Sequence, residues 1–273
     1  MASGQIVPIY YIAAEQLTLL PIPMVKISKS RFRCLLLFAI GILSSCNQSE
    51  LSTQKIENIS MIGATIDIYQ DPFQKTKNNV SVELFDKKHN RIANDSIIVF
   101  INNAEVKVTH KQGLYYYDES YYALADVPVN DSYTVEIVLS NGKKHFLGGI
   151  KALQQENEES IIADEKGDFN KNTLVRWVNL KEIDELSIFT SVLLKSRGDN
   201  ITRYDAKDVI VKKIPSTGSY VYLKKNYTDT GSTISHLEFV FKTTKTQKTN
   251  PDLLEGSTSK ISTSITKFIN FGN

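Results

Sequence analysis

Two tandem immunoglobulin-like β-sandwiches in an all-β chain are what this sequence predicts, and three observations predict it. From about residue 58 the chain is cut into short runs rich in Val, Ile, Tyr, Phe and Thr, separated by clusters of Asn, Asp, Gly and Lys, which is the texture of strands and turns. Several runs alternate with a period of two: Val80, Val82 and Leu84 against Ser81 and Glu83, and Val135, Ile137 and Leu139 against Thr134 and Glu136. One buried and one wet face is the antiparallel pattern. No helical period is sustained after residue 58; residues 181–186 read as one short helical turn.

The first sandwich is placed at 58–153, with strands near 60–69, 80–85, 97–101, 104–109, 114–117, 121–125, 133–139 and 145–150. Asn141-Gly142 is a hairpin signal, and Asn102-Asn103 and Gln112-Gly113 mark further tight turns. The polar, acidic stretch 154–159 (QQENEE) is placed as the domain boundary. The second sandwich, 160–273, has strands near 173–178, 186–194, 209–214, 220–223, 234–242 and 260–269. The only tryptophan, Trp177, shares a strand face with Val175, while Arg176 takes the other face, so the indole is expected in the second core.

Ahead of both domains lies an address. Lys26, Lys29, Arg31 and Arg33 form a basic front, residues 35–43 an apolar run, and Ser44-Ser45 a small-residue approach to Cys46. That is the order of a secretory signal, and the run is too short for a spanning helix, which needs about 20 apolar residues. Residues 1–23 are broken by Pro8, Glu15, Pro21 and Pro23, and Met24 reads as the start of the signal. Residues 46–57 are polar and are expected to form a flexible tether.

The closing Leu43-Ser44-Ser45-Cys46 resembles the lipobox of bacterial lipoproteins. The resemblance implies that Cys46 receives a diacylglycerol and becomes the first mature residue, with the membrane as partner through palmitate-type acyl chains. A second resemblance joins this lipobox to the strand Tyr133-Thr134-Val135-Glu136-Ile137 and to the ending Ser259-Lys260-Ile261-Ser262 through Ile269-Asn270-Phe271-Gly272-Asn273. Together these look like uncharacterised cell-envelope lipoproteins of Bacteroidetes bacteria. The likeness implies a lipid anchor at the outer membrane or cell surface, and it carries over no catalytic residue.

Charge and chemistry narrow the function. The chain carries +2, but residues 1–45 hold four basic groups and one acidic group, which leaves 28 basic and 29 acidic residues, or −1, after them. No nucleic-acid partner follows from that balance. The two cysteines, Cys34 and Cys46, both belong to the export segment, so no thiol is left for a zinc site or a nucleophile. His89, His110, His145 and His236 have no metal-binding spacing, and no nucleophile elbow, phosphate loop or dinucleotide fingerprint occurs. Asp164, Glu165 and Asp168 lack the spacing of a calcium loop, with Lys166 among them.

No cofactor, metal or catalytic residue is therefore expected, and the chain reads as a non-catalytic binding or scaffolding protein. Arg197-Gly198-Asp199 reads as a turn. The candidate binding surface is the tyrosine-rich pair of strands, with Tyr116, Tyr121 and Tyr122 as its candidate residues, of which alternation lets Tyr116 and one of Tyr121 or Tyr122 face solvent, and a glycan or an envelope protein as its partner. The alternatives are a carbohydrate-binding accessory of a glycan-uptake system, and an envelope hydrolase with dispersed catalytic groups.

Overall fold

Alternating runs become strands wherever one face has a core to meet. The computed structural model describes residues 49–112, 118–194, 203–229 and 231–271, leaving out the side chains of 110–112 and 118–119. The first half holds β1 (Gly63–Tyr69), β2 (Asn78–Phe85), β3 (Ile98–Ile101), β4 (Ala104–Val106), β5 (Val108–Gln112), β6 (Asp118–Val127), β7 (Ser132–Val138) and β8 (Lys144–Lys151). The second half holds β9 (Ile161–Ala163), β10 (Thr173–Trp177), β11 (Glu185–Leu194), β12 (Tyr204–Ala206), β13 (Ile210–Lys213), β14 (Gly218–Tyr222), β15 (Ser232–Gln247) and β16 (Thr258–Asn270). The only helical elements among the described residues are four three-residue 3-10 turns, so the chain is all-β.

Turn chemistry sets the hairpins. Asn102 and Asn103 both have positive φ, 47° and 66°, as a two-residue turn between β3 and β4 requires. Gly142 has φ 78° between β7 and β8, where Asn141 Oδ1 accepts from Lys143 N at 3.0 Å.

In the first half β1-β2-β6-β5 stack on β4-β3-β7-β8, and in the second half β9-β10-β14 stack on β12/β13-β11-β15-β16. Each half is thus a β-sandwich of two facing sheets. The two sandwiches share one sheet. β16 pairs with β15 over its whole length and, through Thr258 to Ser262, runs parallel to β1, giving a nine-stranded sheet β12-β11-β15-β16-β1-β2-β6-β5 with β13 also on β11.

Each half keeps its own core. One is built on Ile66, Val82, Val99, Val135 and Ile137, the other on Val175, Trp177, Leu186, Phe239 and Phe241. The polar stretch 154–159 thus separates two cores but not two sheets. Leu253 and Ile261, from the far end of the chain, lie in the first core, and Phe73 packs on the second.

Two local expectations are corrected. The tether placed at 46–57 is fastened from Ser49 onward: Ser49 Oγ donates to Asp86 at 2.6 Å, Asn94 Nδ2 donates to the Leu51 and Gln54 carbonyls, and Ile56 is fully buried. Polar composition hid these contacts because the polar groups find backbone partners.

Residues 181–186 form no helical turn. The Lys181 and Glu182 amides instead donate to the Glu156 carboxylate before the chain enters β11. The sequence reading places no strand at β9 or β12, which at three residues each are too short to show a period.

Candidate functional site

The register of β6 decides what its tyrosines can do. Tyr122 stands opposite Val82 on β2 and Val108 on β5, both on the inward face, so its ring enters the first core with 1% of its surface exposed. Its hydroxyl donates to the Asn94 carbonyl at 3.4 Å, and burial pushes its pKa up to about 12. Tyr122 is therefore a core residue and no part of a binding surface, because neighbours on a strand alternate faces. Tyr121 takes the outer face opposite Thr109 and is half-buried. Tyr116, Cys46 and the triplet Arg197-Gly198-Asp199 lie outside the described residues.

Three of the histidines fall on separate elements. His89 sits at φ 60° in a turn, stacked on Phe85 at 5.0 Å; His145 lies on β8 and His236 on β15. Among the described residues no three His, Cys, Asp or Glu side chains are grouped to hold a metal. The acidic stretch 164–168 is tied to the end of β16, where Gly167 N donates to the Asn270 carbonyl at 2.8 Å. Asp168 Oδ1 accepts from Asn170 N at 2.8 Å, which, helped by Lys171, lowers its pKa.

A different surface emerges from the shared sheet. On β16 every odd residue from Ser259 to Ile269 points inward, Lys267 being the one only half-buried, with Ile261 in the first core and Ile265 and Ile269 in the second. Both smaller sheets therefore pack on the same side of the nine-stranded sheet, and its other face is covered by neither.

Within the second half that outer face is set out in rows by register. Phe189, Glu238 and Phe268 lie side by side on β11, β15 and β16. The next row is Val211, Ser187, Val240 and Thr266; on the other side Ser191, His236 and Asn270 stand abreast, followed by Tyr204 and Leu193.

The large side chains of these rows are in solvent: Phe189 is 38% exposed, Phe268 55%, Val211 57% and Tyr204 65%. Adjacent strands are about 4.8 Å from each other, so the two phenylalanines of this row stand about 10 Å apart with Glu238 between them. Glu238 is half-buried and has no hydrogen-bond or ion-pair partner among the described residues. Farther along, charge is compensated, with Lys242 Nζ 3.1 Å from Glu185 and Lys213 Nζ 3.6 Å from it.

Sequence reasoning missed this face. Phe268 does alternate with Ile269, but its row-mates are 30 and 79 positions away, and only the pairing brings them together.

Among the described residues no helix is long and apolar enough to cross a membrane. No family model matches the sequence, and no curated protein does. Among solved structures, a match is found to the Bacteroides ovatus mixed-linkage glucan utilization locus SGBP-B in complex with mixed-linkage heptasaccharide. It has 10% identity and a TM-score of 0.16 and covers 74% of this chain. The chain spans 60% of that protein, and a likeness this loose carries no argument about function.

Proposed function

We propose that this chain is a lipid-anchored bacterial envelope protein that acts by binding, without catalysis, through the outer face of its shared sheet. One observation carries the reading: with both smaller sheets on one side, the opposite face exposes Phe189, Phe268, Val211, Leu193 and Tyr204 together. Contiguous exposed apolar groups with polar neighbours mark interaction surfaces, whereas singly scattered ones need no explanation.

Ser49, three residues beyond Cys46, is fixed by Arg91 and Asp86 at the end of the sheet where Gly63 and Phe85 pair. That is the Thr258 end of β16, and Phe268 lies ten residues farther along the same strand, roughly 33 Å away. Within the described residues, then, Ser49 and the row of Phe189, Glu238 and Phe268 stand at opposite ends of β16.

Two measurements test the reading. Cys46→Ser is expected to release the protein from membranes or stall its processing; mature Cys46→Ser protein that still fractionates with membranes refutes the anchor. Replacing Phe189 and Phe268 together by Ser is expected to change stability by no more than about 1 kcal/mol, as for surface positions. A loss of several kcal/mol would mean that the rings serve packing and not recognition.

A further inference from the structure

We infer that the row Phe189, Glu238, Phe268 is a subsite for a neutral polysaccharide chain, an inference that rests on the binding reading above and names its ligand. Two apolar rings about 10 Å apart with a hydrogen-bond acceptor between them alternate in the way a glycan does, whose sugar rings offer C–H faces and whose edges offer hydroxyls. The flanking rows supply more hydrogen-bonding groups at the same level: Thr266 on one side, and Ser191, His236 and Asn270 on the other.

Glu238 decides between a glycan and a protein surface. It stands at the centre of the exposed group without a counter-charge among the described residues. Covering it with a dry protein face that brings no cation would strand a carboxylate away from water, which is strongly unfavourable. A second copy related by a two-fold axis through this row would bring two Glu238 carboxylates together. Sugar hydroxyls satisfy a carboxylate without any charge of their own, and a glycan interface stays wet, so waters complete the remaining bonds. The same carboxylate disfavours an acidic polysaccharide.

Affinity electrophoresis of the full Cys46→Ser chain through gels containing a β-glucan, a xylan, a galactomannan or polygalacturonate tests the inference. At least one neutral polysaccharide is expected to retard the protein and polygalacturonate is not. Phe189→Ala and Phe268→Ala are each expected to weaken that retardation about tenfold or more, in the range of buried aromatic anchors. Glu238→Leu should weaken it too, with Glu238→Gln recovering part of the loss. Trp177 emission checks that each variant is folded.

Absence of retardation in every neutral gel overturns the inference, as does retardation that none of the variants changes. So does a native dimer that Phe189→Ala converts to monomer, which assigns the face to a second copy of the chain. In each of these cases the anchor and the unchanged stability of the double variant still stand or fall separately, so failure of the glycan inference is distinguishable from failure of the binding reading.

Discussion

Trp177 is held in the second core by three contacts of different kinds. Its indole packs edge-on to Phe241 at 5.5 Å, its Nε1 donates to the Pro215 carbonyl at 2.9 Å, and Gly218 lies so close that a Cβ there would meet the ring at 2.8 Å. Trp177→Ala is expected to cost about 3–5 kcal/mol. Trp177→Phe keeps most of the ring contact but leaves the Pro215 carbonyl without its donor, an expected loss of about 1–3 kcal/mol. Chemical denaturation followed by circular dichroism measures both, and native emission should be blue-shifted and poorly quenched.

Asp229 makes the pH dependence at this scale. Its carboxylate accepts from the Gly231 and Ser232 amides, the Ser232 hydroxyl and Lys207 Nζ, and these, the Gly231 amide first, hold its pKa well below the usual carboxylate range. A depressed folded-state pKa contributes stability above the unfolded value of about 4, lost as pH falls toward the folded one. Asp229→Asn should therefore lower the thermal midpoint at pH 7 and flatten its decline below about pH 4. Equal decline in variant and parent would remove Asp229 from the account.

Among the elements, the polar stretch between the halves behaves least as its composition suggests. Glu156 is 8% exposed; its amide donates to the Pro72 carbonyl, and its carboxylate accepts from the amides of Lys181 and Glu182 at 2.9 to 3.1 Å. Beside it, Gln155 Nε2 donates to the Asp71 carbonyl, and Gln70 holds both the amide and the carbonyl of Leu153. A carboxylate that meets backbone amides is indistinguishable in sequence from a solvated one, which is why QQENEE reads as a polar break between domains.

Limited proteolysis with a Glu-specific protease is expected to leave 154–160 uncut in the native protein. Glu156→Ala should open that stretch to cleavage and cost about 1–3 kcal/mol through the orphaned amides. Early cutting of the unmodified protein there would mean that these bonds do not hold the segment closed.

At the scale of the molecule, strands were legible where one face alternates, as in β2, β7 and β15, because the period is a local property. What was not legible is which strands meet. The parallel pairing of Thr65 with Thr258 and of Tyr69 with Ser262 joins the first and the last described strands and makes one sheet of two. It also creates the outer face on which Phe189 and Phe268 stand in a row. Adjacent Tyr121 and Tyr122 could not be sorted into surface and core until Val82 and Val108 fixed their parity.

The joining has an energetic consequence. The β15–β16 hairpin runs out of the second sandwich past Thr243 and Thr263, which face each other inward between the two cores, and places Leu253 and Ile261 in the first core. Its tip is clasped there: Leu254 N donates to the Ile62 carbonyl, Ala64 N to Ser257 Oγ, and Asn250 Nδ2 to the Phe146 carbonyl.

Unfolding either sandwich exposes part of the other, so the two should unfold in a single transition, although tandem domains joined only by a linker generally would not. The sole tryptophan reports on the second core, which gives the test. Ile66→Ala, in the first core and fully buried, should cost about 2–5 kcal/mol. The emission of Trp177 should lose its midpoint by the same amount as the strand signal in circular dichroism. Two separated transitions, with the Trp177 transition unmoved by Ile66→Ala, would show that the shared sheet does not couple the sandwiches.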